Sequence, residues 1–120
     1  MDVEVEVGDW EHECCGEAIA RDQLVDLDCI CWTDPDGHVR LIETHHDLDV
    51  QPRRQVRGRV VDIRLVQEGG ATRPLLRLPS GRALAGAAPD DGRLQDLETG
   101  EALATSGGRS FRVTVRTVDQ

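Results

Sequence analysis

The chain has 120 residues, enough for one domain with a modest core, and carries 23 acidic against 14 basic side chains for a formal charge of −9. It contains no Lys, Tyr or Asn, which excludes a Schiff-base lysine, a P-loop of the Gly-Lys-Ser/Thr kind and a phenolic acid. The acidic balance also argues against nonspecific DNA or RNA binding, because phosphate contacts need a net basic face.

The charge is unevenly spread. Residues 1–50 hold 15 Asp/Glu and 2 Arg, a balance of −13, whereas residues 51–120 hold 8 Asp/Glu and 12 Arg, a balance of +4. Such a split can steer a partner, or simply let the two halves attract each other on folding. The N-terminus is acidic and lacks the apolar core of a signal peptide, and no apolar run approaches membrane-spanning length. The chain therefore reads as cytoplasmic, with no membrane partner. In that compartment four Cys point to metal ligands, reactive thiols or small buried side chains before disulfides. All-Arg basicity with abundant Ala, Gly, Asp and Val suggests a GC-rich bacterial genome.

In chain order, residues 2–7 alternate Val3, Val5 and Val7 with Asp2, Glu4 and Glu6, a half-buried strand. The stretch Trp10-Glu11-His12-Glu13-Cys14-Cys15-Gly16 follows, with Gly16 allowing a turn that a side chain would obstruct. Residues 17–23 read as loop. Residues 24–43 read as a hairpin about Asp34-Pro35-Asp36-Gly37. If Asp34 pairs with His38, Cys31 opposes Leu41, Cys29 opposes Glu43 and Leu27 opposes His45. Cys29, Cys31 and His45 then share one face, and Trp32, Arg40 and His46 the other. Trp32 opposite Arg40 suggests a cation–π surface pair.

Residues 47–55 read as a polar connector and Val56–Val66 as the next strand, with Gly58 a bulge or bend and with Val61, Ile63 and Leu65 on one face. Glu68-Gly69-Gly70 marks a hairpin loop, Pro74–Leu78 a returning strand and Pro79-Ser80-Gly81 a further turn. Residues 82–108 are loop-rich, with turns at Asp90-Asp91-Gly92 and Thr99-Gly100-Glu101 and room for one or two short strands. Phe111, Val113, Val115 and Thr117 define a terminal strand with a basic outer face. The expectation is a single all-β domain over 1–120, a small and strongly bent antiparallel sheet or barrel of about six strands.

Thiolate and imidazole are the donors zinc prefers. Cys14 or Cys15 at a turn and His45 or His46 at the end of the hairpin would meet if the turn folds over that end, with Cys29, His12 and His38 as further donors. No Cys-x-x-Cys knuckle occurs, and adjacent Cys side chains tend to point apart. The simpler reading makes these residues buried or surface side chains with no ligand. A Cys/His nucleophilic site is disfavoured, because Glu11, Glu13 and Glu17 would raise a nearby thiol pKa.

Trp10 followed by Cys14-Cys15-Gly16-Glu17, then Glu43-Thr44-His45-His46, then Val56-Arg57-Gly58-Arg59-Val60 resembles a family of small uncharacterised domains from high-GC actinobacteria. The likeness covers residues 3–66 and brings no activity with it. It implies that Cys14, Cys15, His45 and His46 form one constellation. The combined expectation is a non-enzymatic binding or regulatory module with a structural zinc at Cys14, Cys15, His45 and His46 and a protein partner. The rival expectations are a metal-free interaction module using the acidic N-terminal half, and a thiol enzyme or redox sensor.

Overall fold

A computed structural model describes residues 1–8, 12, 16–44, 53–81, 94–103 and 110–117. Among the described residues there are eight strands: β1 (Asp2–Gly8), β2 (Ile19–Ala20), β3 (Leu24–Thr33), β4 (Val39–Glu43), β5 (Arg53–Val66), β6 (Thr72–Pro74), β7 (Arg77–Leu78) and β8 (Ser110–Thr117). Five of them close into a barrel in the order β3-β4-β1-β8-β5, the ring completed by β5 pairing back onto β3, with β6 added at the free edge of β5. The all-β barrel expected from the alternation is therefore present. One pairing, β1 with β4, is parallel, which alternation alone cannot distinguish.

The inward faces follow from the period of two. Val3, Val5 and Val7 of β1 meet Val115, Val113 and Phe111 of β8, respectively, across an antiparallel ladder, and all are buried. The hairpin β3–β4 has the register derived from its loop: Cys29 opposes Glu43, Cys31 opposes Leu41 and Trp32 opposes Arg40. Gly37 at φ 91° closes its three-residue turn, and the Asp34 N–H donates to the His38 carbonyl at 2.8 Å.

The long strand β5 departs from the expected pattern in three ways. It begins at Arg53, inside the stretch expected to be a connector. Gly58 lies in regular register, opposite Val25 on one side and Thr117 on the other, so there is no bulge at that position. The irregularity falls between Val60 and Asp62 instead. The reason is parity. Val56, Gly58 and Val60 face inward on even numbers, Ile63 and Leu65 on odd ones, and all are buried. An even-to-odd switch within one strand requires an extra residue, and Val61 supplies it as a bulge. Val61 thus does not share the buried face of Ile63 and Leu65.

Gly58 has another task. A Cβ there would collide with the main-chain carbonyl of Arg116, so the glycine lets β8 approach closely. Elsewhere, Glu68–Gly70 forms a 3-10 turn between β5 and β6, with Gly69 and Gly70 at φ 86° and 88°. The stretch read as loop at 17–23 contains β2, which pairs with β7 through Ile19–Leu78 and Ala20–Arg77. Isolated bridges join Leu75 to Asp96 and Gln95 to Ala102 about the expected turn at Thr99–Glu101. The expected turn at Asp90-Asp91-Gly92 lies outside the described residues.

Outside, β1 and β8 form a ladder of charges. Asp2 pairs with Arg116 at 3.0 Å and Glu4 with Arg112 at 3.1 Å, while Glu6 accepts both a 2.7 Å and a 2.6 Å bond from Arg40. Arg40 therefore commits its guanidinium to Glu6 and, at 3.5 Å, to Asp34, in place of the expected stacking on Trp32. Asp62 lies between Arg21 and Arg64, and Arg73 joins Asp96 to Glu101. The surplus of acid in the first half and of arginine in the second is thus partly cancelled by folding.

Two outcomes are expected. Gly58→Ala should lower the unfolding free energy by about 2 kcal/mol in urea titrations, since the clash is with backbone. Gly8→Ala, where a Cβ meets nothing within 4 Å, should stay within about 0.5 kcal/mol of the parent. The second outcome concerns acid. The bonds from Arg40 hold Glu6 below its usual 4.5, and the main-chain N–H of Thr99, aided by that of Glu98 and by Arg73, holds Asp96 below 3.8. Folded pKa values below unfolded ones give stability that is present above the unfolded pKa and lost as pH falls through the folded one. The urea midpoint should hold steady above about pH 5 and drop below it, with part of that slope missing in Glu6→Gln.

Candidate functional site at the shared end of the parallel strands

The parallel pairing of β1 with β4, Val5 beside Leu41 and Glu6 beside Ile42, sends both chains out of the same end of the barrel. One leads from Gly8 toward Cys14-Cys15. The other leads from Thr44 directly to His45-His46. Thr44 extends the hairpin ladder by donating its N–H to the Asp28 carbonyl at 2.9 Å, and its side chain is buried.

A cleft of about 290 Å³ is lined by Glu17, Ile19, Val25, Asp26, Leu27 and Glu43, among others. Glu17 follows Cys15 by two residues and Glu43 precedes His45 by two, so the two expected donor pairs flank a single cavity in sequence. Its walls combine buried Ile19 and Leu27 with three carboxylates. Asp26 is held by Arg57 at 3.1 Å, whereas Glu43 is itself only 6% exposed.

The Cys-Cys segment is anchored on both sides. His12 is 1% exposed, its Nε2 lies 2.7 Å from the Pro79 carbonyl, and its ring meets Phe111 edge-on with centroids 6.1 Å apart. A carbonyl only accepts, so Nε2 carries the proton. Gly16 closes the segment: its N–H donates to the His12 carbonyl at 2.7 Å, and its own carbonyl accepts from Gly81 N–H at 3.0 Å. A Cβ at Gly16 would strike the His12 ring. The glycine expected for a turn is thus also required by an imidazole packed against it.

The remaining donors separate. His38 sits at the exposed hairpin tip, 2.9 Å from Asp36 and at the opposite end of β4 from Glu43, away from the cleft. Cys29 is fully buried, and burial, reinforced by the charge of Glu43, pushes its thiol up to about 12. It is a core side chain and no nucleophile at neutral pH. Cys31 packs at the margin of the same core. Trp32 points outward as expected and is 44% exposed.

Cys14, Cys15, His45 and His46 lie outside the described residues, as do Trp10, Glu11 and Glu13. Among the described residues no three His, Cys, Asp or Glu side chains converge as a metal site. Nor, among them, is any helix long and apolar enough to cross a membrane. Sequence reasoning missed His12 and Glu43 as buried groups. For Glu43 the signal was present, since it shares the inward parity of Leu41.

These features define a small closed β-barrel domain with a cleft at one end. The chain belongs to a family of unknown function, DUF6578, whose model matches residues 1–111. No curated protein and no solved structure matches it.

Gly16→Ala is expected to lower the melting temperature by several degrees, roughly the effect of 1–3 kcal/mol of overpacking. If thermal denaturation leaves it unchanged, the packing of His12 against Gly16 does not matter to the fold.

Proposed function

We propose that this domain is a non-enzymatic binding module whose cleft end is held together by a zinc ion on Cys14, Cys15, His45 and His46. One observation carries the reading: residues two positions from each donor pair, Glu17 and Glu43, line the same cleft. Thiolate and imidazole are the donor types zinc selects, and a metal joining segments distant in sequence stabilises the folded state. His12 supports the reading by anchoring the cysteine segment without serving through Nε2, which is committed to Pro79.

The chemistry of the cleft suits a protein partner that presents a basic side chain with an apolar stem, since carboxylates rim apolar walls. The rival metal-free module draws on the acidic N-terminal half. It is weakened by the ladder, in which Asp2, Glu4 and Glu6 are already paired with arginine.

Protein purified without a metal-affinity tag should contain close to one equivalent of zinc by elemental analysis, and Cys14→Ser and His46→Ala should each lower both the zinc content and the melting temperature. Less than about a tenth of an equivalent in the parent protein sinks the zinc reading. Unchanged melting temperatures would favour the metal-free module.

A further inference from the structure

β4 covers only part of β3. The hairpin pairs Cys29 through Thr33 with Glu43 back to Val39, whereas β3 itself begins at Leu24. One further bond, from the Thr44 N–H to the Asp28 carbonyl at 2.9 Å, ends the ladder. On its other side β3 stays paired with β5 as far as Leu24. Over Leu24–Leu27 the strand therefore has one side taken and the other left by β4.

The direction of its main chain follows from the alternation. The Asp34 N–H and the Asp28 carbonyl bond toward β4, whereas the Gln23 carbonyl accepts from the Val60 N–H of β5 at 2.9 Å. The N–H and C=O of one residue in a strand point the same way, and those of its neighbours point the other. Leu24 and Asp26 accordingly turn theirs to the side β4 has left. Among the described residues neither has a main-chain partner there. The cleft follows this edge: Leu24, Val25, Asp26 and Leu27 all line it, consecutive in β3 and alternating in face, as a groove along a strand edge requires.

We propose that this edge takes an extended peptide segment of a partner protein, which adds a strand beside Leu24–Leu27 and alternates apolar with basic side chains. The proposal rests on the binding-module reading and makes no use of the zinc. In such complexes main-chain hydrogen bonds give affinity, and the surfaces on either face of the new strand give selection. On the inner face Ile19 and Leu27, both buried in the core, offer an apolar contact at the cleft wall. On the outer face Asp26 and Asp28 lie two apart, and Glu17 lines the cleft. Asp26 is shared with Arg57, while Glu17 and Asp28 make no ion pair among the described residues. This acidity selects a basic segment. It also disfavours a second copy of the same edge, because like charges would then face each other across the new pair.

The probe is a short synthetic peptide, capped at both ends, in which Val alternates with Arg, titrated into the isotope-labelled whole chain. Hydrogen exchange followed by NMR should find the Leu24 and Asp26 amides exchanging freely in the unbound protein, and slowed about tenfold at a peptide concentration of about ten times Kd. Methylating alternate peptide nitrogens separates main-chain from side-chain binding: one set should weaken binding about 10–100-fold, and the complementary set should leave it within about twofold. Replacing every Arg of the peptide by Glu should abolish binding. Binding without added protection at Leu24 and Asp26, or with both methylated sets as tight as the unmodified peptide, overturns strand addition and leaves the module reading standing. Amides already protected in the free protein overturn it as well, whether this chain or a second copy covers the edge. A Val-Arg peptide that does not bind overturns the proposal, and the zinc content then decides the module reading separately.

Discussion

The barrel depends on side-chain parity along β5. This strand of 14 residues pairs with β8 on one side, and on the other with β3 over its first part and β6 over its last. It must present an apolar row to the interior throughout, yet its apolar residues change from even to odd numbers. The Val61 bulge reconciles the two by inserting one residue and increasing the local twist. With that switch in place, Val56 and Val60 pack on the same interior as Ile63 and Leu65, and the strand coils far enough for β3 to meet it. Without it, half of the strand would turn its valines to water.

Local chemistry was readable from the sequence, and distant chemistry was not. The hairpin register followed from Asp34-Pro35-Asp36-Gly37, because a three-residue loop and a period of two leave one self-consistent pairing. The valines of β1 and the Phe111–Val115 row of β8 declared their buried face in the same way. The parallel partnership of β1 and β4 stayed hidden, since nothing in either strand encodes the sense of its neighbour. Gly16 looked like a turn former and Gly58 like a bulge or bend. Their constraint comes from residues far along the chain or folded back over them, the Arg116 carbonyl and the His12 ring. The position of the bulge could have been inferred from the parity change alone. As for the candidate site, its donor types were legible and its cleft was not, because Glu17 and Glu43 are distant in sequence and line one cavity only in the folded chain.

Electrostatics contributes organisation more than strength. The opposite charge balance of the two halves is resolved strand against strand: Asp2 and Glu4 of β1 on Arg116 and Arg112 of β8, and Asp26 of β3 on Arg57 of β5. Exposed pairs of this kind contribute little individually. They do disfavour register slips that would set like charges side by side, as already happens where Arg59 opposes Arg116 and Arg64 opposes Arg112. Each arginine in those two contacts has an oxygen partner elsewhere: Asp2, Glu4, Asp62 or the Asp22 carbonyl.

The position of β8 has a kinetic consequence. It is the last described strand, yet it lies between β1 and β5 and is the only neighbour of β1 on that side. A chain emerging from the ribosome in order can form the β3–β4 hairpin early, but its first strand keeps an open edge until residues near 117 are free. The row Val3, Val5, Val7 then stays without the partners that cover it in the finished barrel. Strand pairing across more than a hundred residues is also entropically slow. Until β8 is available that edge of β1 is unpaired, and the alternating Asp2, Glu4 and Glu6 along it are charges of the kind that disfavour edge-to-edge pairing with another chain.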